Sequence, residues 1–367
     1  MIKYLHQLDQ WPFFTWNHEA LLPVLSNVRH KQGKLYGYML HLGFDLRNET
    51  TLQTLTQDVL KSSEIEGEIL NSDQVRSSIA RRLGLDVVGL IPADRNVEGI
   101  VQLMIDATQN YNEPLDKDRL FGWHAALFPT GRSGINKIVI GNWRDNNKGP
   151  MQVVSGALGN EKVHYEAPHS DRLEYEMKLF LEWYNSDDKI DHILKSAISH
   201  LWFVTIHPFD DGNGRIARAI ADMQLAKADA SPHRFYSLSV QLQLERNHYY
   251  NILEKTQKGT LDITEWLLWF LKCMDNALNT TDEILQTVLL KTRFWDKHTK
   301  TPMNQRQGLL INKIIDGFTG KLSSSKWAAI AKCSPDTALR DINDLIEKDI
   351  LVKETSGGRS THYILKN

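Results

Sequence analysis

The sequence predicts a mainly α-helical fold, and three observations carry that prediction. Apolar residues recur at three- and four-residue spacing through most of the first 280 residues, the buried stripe of a helix. Glycine, asparagine and proline gather in one window, 129–170, where the helical rhythm breaks. The last stretch, 305–367, reads as three helices followed by a β-hairpin.

Taken in order, Tyr4 to Trp16 is aromatic, carries Pro12, and is expected to pack as an irregular arm. Helical spacing follows in Leu21, Leu22, Leu25 and Val28, and again in Leu35, Met39, Leu42 and Leu46. Thr51 to Gly67 predicts a helix ended by glycine. Further helices are expected over 72–83, from after Pro92 to Tyr111, and over 116–127. Met151 to Ser155 and Lys162 to Glu166 are short β-like runs around Gly156 and Gly159, a hairpin signal. Helices resume at 172–185 and 190–206, then after a loop to about Ala228, and at 240–257 and 262–278.

The expected organisation is an N-terminal helical arm (1–60), a central helical domain (61–280), a polar linker (281–304) and a C-terminal unit (305–367). With a net charge of −2, the chain lacks a whole-protein electrostatic grip on nucleic acid or anionic membrane. Two distant cysteines, Cys273 and Cys333, read as free thiols, which suits a reducing cytoplasm. No apolar run approaches a membrane span, and the first residues lack a signal-peptide pattern, so a cytoplasmic protein with no membrane contact is expected.

The stretch His207-Pro208-Phe209-Asp210-Asp211-Gly212-Asn213-Gly214-Arg215-Ile216-Ala217-Arg218 concentrates chemistry. An apolar helix delivers a histidine just before a proline that blocks further helix. Gly-Asn-Gly then opens a new helix, where backbone N–H groups can turn toward an anion. Arg215 and Arg218 are neighbours on the first turns of that helix and suit a polyphosphate. An aspartate beside phosphates is a natural Mg²⁺ ligand. A nearby histidine can take a proton from an attacking hydroxyl. Base, metal ligand, anion nest and cationic clamp are the parts of nucleotidyl or phosphoryl transfer.

These twelve residues resemble the signature of the Fic family, His-x-Phe-x-Asp/Glu-Gly-Asn-Gly-Arg-x-x-Arg, and match it at every fixed position. The resemblance covers about residues 60–280. It implies a Fic helical domain with a β-hairpin flap, and a protein adenylyltransferase that moves AMP from Mg²⁺·ATP to a Ser, Thr or Tyr hydroxyl of a target protein or of itself. His207 would be the base and Asp211 the Mg²⁺ ligand. Gly212, Asn213 and Gly214 would form the anion hole. Arg215 would stabilise the β-phosphate and Arg218 the γ-phosphate, while Phe209 pins the loop. The 151–166 hairpin resembles the flap that docks a target segment as an added strand. Tyr249 and Tyr250 resemble the family's nucleotide-side aromatics, with adenine stacking and core packing both open. Self-association is a family expectation.

Ser62-Ser63-Glu64-Ile65-Glu66-Gly67 resembles the family's inhibitory motif, Ser/Thr-x-x-x-Glu-Gly/Asn, with Ser62, Glu66 and Gly67 at its fixed positions. The resemblance implies an ion pair between Glu66 and Arg218 that would compete with the γ-phosphate. In some relatives the same glutamate orients water to remove AMP. Transfer of UMP, phosphate or phosphocholine is a further alternative, although Gly214 favours the nucleotidyl direction.

Residues 305–367 resemble a winged helix-turn-helix. They carry ten Lys/Arg against seven Asp/Glu. Arg340 on the recognition-helix candidate, and Lys353, Arg359 and His362 on or near the wing, suit phosphate contacts. Asp341, Asp344, Glu347 and Asp349 oppose that, so DNA and protein partners both remain readings of this unit. A nucleotide-responsive DNA-binding regulator is the non-enzymatic alternative.

Overall fold

The structure, a computed structural model, describes residues 4–40, 44–85, 90–145, 147, 149–156, 162–315, 322–354 and 362–366. For 44–46, 282–289, 291–292, 305, 309 and 312–313 it describes the backbone alone. It is mainly helical. In chain order the helices are α1 (His18–Leu40), α2 (Phe44–Ile65), α3 (Ser72–Arg82), α4 (Arg95–Gln109) and α5 (Lys117–Leu127). There follow α6 (Leu173–Asn185), α7 (His192–Ile206), α8 (Asn213–Asp229), α9 (Leu238–Leu244), α10 (Arg246–Gln257) and α11 (Thr264–Lys297). The last are α12 (Gln305–Ile315), α13 (Ser324–Ile330) and α14 (Pro335–Glu347).

Each antiparallel strand pair is a local hairpin: β1 (Arg132–Ser133) with β2 (Asn136–Lys137), β3 (Gln152–Ser155) with β4 (Lys162–Glu166), and β5 (Leu351–Lys353) with β6 (Tyr363–Leu365).

Short polar side chains start the helices. Asn71, Asp116, Asp191, Ser237, Ser323 and Ser334 each accept a backbone N–H of the first turn at α3, α5, α7, α9, α13 and α14. Helix α7 is buried on every side, as a helix that is apolar all round must be. Its neighbour α8 is buried along most of its length. Around this pair Leu52, Leu55 and Val59 of α2, Ile100 and Met104 of α4, and Phe180 of α6 complete one apolar core. Gly99 lets α4 meet α5, since a Cβ there would overlap the Ala126 carbonyl.

The residues up to Thr280 form one compact unit and those from Thr281 another. Three features differ from expectation. Residue 60 lies inside α2, whose apolar face belongs to the same core as α8, so no break separates an arm at that point. The stretch 281–304 is helical through Lys297 as the end of α11, because polar side chains on an exposed face are compatible with helix. The helix expected over 240–257 is two helices, broken at Glu245.

In the second unit Leu310, Ile311, Trp327, Ala338, Ile342, Leu345 and Tyr363 make a separate core. Two of the α14 acids are paired within the unit: buried Asp341 takes Arg306 at 2.8 Å, and half-exposed Asp344 takes Gln307 at 2.6 Å and Lys348 at 2.5 Å. Arg340 and Lys353 are exposed. The expected wing turn with Arg359, and the strand ends Thr355 and Thr361, lie outside the described residues, as do Gly159 and the hairpin tip at 157–161. Among the described residues no helix is long and apolar enough to cross a membrane.

Candidate active site

The loop 207–212 joins α7 to α8, and its shape follows from its residues. His207 caps α7 in the left-handed region, with φ 53° and ψ 59°, a conformation that costs a non-glycine residue about 1 kcal/mol or more. Pro208 prevents the helix from continuing. Arg144 holds the strained turn: its Nε donates to the His207 carbonyl at 2.8 Å, and its backbone N–H donates to the Pro208 carbonyl at 2.9 Å. Its Nη2 donates to the Pro168 carbonyl at 2.6 Å.

Phe209 is fully buried and stacks on His124, with ring centroids 4.2 Å apart. The Asn213 side chain clamps the loop from the other end, accepting from the Phe209 N–H at 3.0 Å and donating to its carbonyl at 2.8 Å. Gly212, at φ 79°, forms the N-cap of α8, and a Cβ there would lie 2.9 Å from the Phe128 ring.

The His207 ring is half-buried. Its Nδ1 lies 3.2 Å from the Val204 carbonyl, which can only accept, so Nδ1 carries the proton and Nε2 keeps the lone pair. Burial lowers its pKa to about 4, a fall assisted by Arg144 and opposed by the Val204 hydrogen bond, Glu66 and Asp211. The imidazole is therefore neutral and basic at Nε2 at neutral pH.

Asp211 is half-buried, with Oδ1 accepting the Gly212 N–H at 2.6 Å and Oδ2 accepting the Ser133 hydroxyl from β1. Neighbouring Asp210 accepts the Val139 N–H at 3.0 Å.

Both arginines of α8 are buried and paired. Arg218 Nη2 meets Glu66 Oε1 at 2.8 Å and the Ser62 carbonyl at 2.8 Å, and its Nε donates to Ser62 Oγ at 2.9 Å. Burial works against the Arg218 charge, but the Glu66 carboxylate and the two tyrosines outweigh it and leave the pKa raised. Gly214 makes room for the carboxylate, because a Cβ at 214 would overlap Glu66 Oε1 and lie 3.0 Å from its Cδ. Gly67, at φ 83°, turns the chain after α2. Arg215 Nη1 pairs with Glu68 at 2.6 Å, and its guanidinium lies 5.1 Å from the Phe128 ring centre. Among the described residues, Arg215 Nε and Arg218 Nη1 are buried donors with no hydrogen-bond partner.

A cavity of about 460 Å³ is lined by His207, Gly214 and Glu66 on one side, β3 and β4 on another, and Tyr249 and Tyr250 on α10, while Asp211 lines a neighbouring cavity with Ser133 and Asp210. Tyr165 of β4 donates to the Thr205 carbonyl at 2.6 Å, fixing the hairpin base to the end of α7. The aromatic arm meets the same point, for Tyr4 packs edge-on against Tyr165.

Tyr249 is almost wholly buried, with its hydroxyl 2.9 Å from His200 Nε2 and its ring stacked on Trp269. It therefore packs in the core. Tyr250 is half-buried, donates to the Ile65 carbonyl at 3.3 Å and lies under Arg246.

Sequence reasoning missed Glu68, Arg144, Ser133, His164 and Glu254. The alternation Glu64, Glu66, Glu68 around Gly67 was the available signal for Glu68; the others lie outside any motif.

Comparison with known proteins agrees with this geometry. Residues 114–225 match the Fic/DOC family, and residues 4–85 match a domain of unknown function, DUF4172. The chain thus carries a Fic/DOC family domain over residues 114–225, which takes in the whole 207–218 stretch. A curated relative from Nematostella vectensis, "Protein adenylyltransferase Fic", is 32% identical over 114 residues, 30% of this chain and 25% of that protein. Another of the same description, from Drosophila yakuba, is 23% identical over 234 residues, 61% of this chain and 41% of that protein. The chain thus spans between a quarter and two fifths of the length of these relatives.

In fold it is similar to a Fic family protein from Desulfovibrio desulfuricans, with a TM-score of 0.54 at 20% identity over 96% of this chain and 97% of that one. It is also similar to Fic-1 from C. elegans, with a TM-score of 0.50 at 19% identity over 74% of this chain and 75% of that one.

Proposed function

We propose that this chain is a protein adenylyltransferase that transfers AMP from ATP to a hydroxyl of a target protein, with Glu66 as its brake. The observation that carries the proposal is the single cavity in which a neutral His207, the Gly214 mouth of α8 and the β3–β4 hairpin meet. His207 Nε2 takes the proton of the attacking hydroxyl. The backbone at Gly212, Asn213 and Gly214 and the unpaired donors of Arg215 and Arg218 receive the phosphates.

Asp211 fits a Mg²⁺ ion, because one of its oxygens is held only by the displaceable hydroxyl of Ser133. When bound, the ion offsets the phosphate charge. The β3–β4 hairpin docks a segment of the target. Tyr250, half-buried at the cavity, has surface to offer adenine; Tyr249 supports it from the core.

The brake follows from charge. Glu66 neutralises the guanidinium that a γ-phosphate needs. Because Glu66 lines the same cavity as His207, orienting water to remove AMP is a second reading of the same carboxylate. In the second unit, exposed Arg340 and Lys353 suit contact with DNA or a partner protein.

The test incubates wild type, Glu66→Gly and Glu66→Gly/His207→Ala with Mg²⁺ and α-labelled ATP in a cell lysate. Label on other proteins is expected with Glu66→Gly and lost in the double variant. No label on other proteins with any of the three overturns the transferase reading, and release of AMP from modified proteins by wild type would support the second.

A further inference from the structure

The β3–β4 hairpin holds a second hydrogen-bonded array that the transfer reaction does not use. Ser155 Oγ at the end of β3 lies 2.5 Å from Nε2 of His164 on β4. His164 Nδ1 lies 2.6 Å from Glu254 Oε2 on α10. Glu254 is held in turn by Lys258 at 2.5 Å. A carboxylate accepts only, so Nδ1 of His164 carries the proton, and Nε2 presents its lone pair to the serine hydroxyl. Nucleophile, base and orienting acid stand in the order that activates a serine.

Ser155 is exposed, whereas His164 and Glu254 are half-buried. All three line the cavity that also contains His207 and Gly214. Among the described residues, Ser155 is a hydroxyl that combines a dedicated base, access to solvent and a place in the proposed nucleotide cavity.

We propose that Ser155 is a self-modification site, whose hydroxyl, activated by His164 and Glu254, accepts a nucleotidyl group from a nucleoside triphosphate. This rests on the transferase reading and names one acceptor for it. The Ser155 Oγ forms a bond to the α-phosphorus, and the bond from that phosphorus to the pyrophosphate oxygen breaks. The hydroxyl proton passes to His164 Nε2. Glu254 steadies the resulting imidazolium, and pyrophosphate leaves. The adduct stands on the strand that docks the target, so its bulk and negative charge would obstruct docking. A purely structural role, in which the array only ties the hairpin to α10, would leave Ser155 unmodified.

The test uses the full chain carrying Glu66→Gly, incubated with Mg²⁺ and ATP, digested and mapped by mass spectrometry. A parallel arm includes lysate proteins and α-labelled ATP. An adenylyl adduct is expected on the peptide containing Ser155. It should vanish with Ser155→Ala and form about a hundredfold more slowly with His164→Gln, the scale of a lost general base. It should persist with His207→Ala, because the serine has its own base. An adduct elsewhere in the chain, or label on lysate proteins with Ser155 unmodified, overturns the inference while the transferase reading stands. An unchanged rate with His164→Gln overturns the activation. No label on any protein overturns both.

Discussion

Glu66 and Gly214 share one small space. The Glu66 carboxylate lies against the first turn of α8 where a side chain at 214 would begin, and from there it reaches Arg218 at 2.8 Å. Glycine at 214 thus admits a carboxylate from a residue remote in the sequence. The same opening would admit a phosphate once the carboxylate has left.

Removing the carboxylate should release the reaction. Glu66→Gly is expected to raise transfer roughly 10- to 100-fold, the range spanned by a charge-assisted hydrogen bond of about 1.5–3 kcal/mol. Initial rates of protein labelling check this, and an unchanged rate would remove Glu66 from the control of activity.

The shared space makes a non-additive prediction for stability. In wild type, Gly214→Ala collides with Glu66 and should destabilise. In the Glu66→Gly background the collision is gone, and alanine in a helix is favoured over glycine by about 0.5–1 kcal/mol. The substitution should therefore change sign between the two backgrounds, as a double-mutant cycle of denaturation midpoints would show.

If Glu66 is the brake, Glu68 would be a second, weaker restraint. Its ion pair with Arg215 is partly exposed, with 36% of the Glu68 side chain accessible, so it should count for roughly 0.2–1 kcal/mol. Glu68→Gln added to Glu66→Gly should raise the rate by about two- to fivefold and lower the KM for ATP. A fall in rate would mean that Glu68 positions Arg215 for the reaction.

The His207 pKa makes a pH prediction. Burial lowers it to about 4, so the base is neutral above that value and is lost only as pH falls through it. Transfer by Glu66→Gly should therefore hold between pH 8 and 6, without the loss that an ordinary histidine with pKa near 6.5 would cause. Deleting Glu66 removes a charge that raises the pKa, so the variant keeps the limb low. His207→Ala in this background should lower transfer to other proteins by about 10²–10⁴-fold.

Arg144 is expected to matter as much as the motif. Arg144→Ala leaves the His207 and Pro168 carbonyls without their donors, a cost of about 1–3 kcal/mol for each that stays buried. The melting temperature should fall and transfer should fall with it, since the left-handed turn at His207 loses its clamp. A stable variant with normal transfer would show that Pro208, Phe209 and the Asn213 clamp suffice to hold the loop.

The sequence by itself determined the helical class, the α7–loop–α8 succession and the residues of 207–218. Those depend on local spacing: apolar period, a proline after a histidine, and glycines at a helix mouth. It also marked Ser62 and Glu66, through a short motif. Tertiary structure decided the rest, because each remaining relationship joins residues far apart in the chain, and periodicity states which face is buried without stating what it meets. Glu68 reaches Arg215 across 147 positions, Arg144 reaches His207 across 63, and His164 reaches Glu254 across 90. Tyr249 and Tyr250 are adjacent and alike in the sequence and both edge the cavity; helix geometry buries the first almost wholly and leaves the second half-buried.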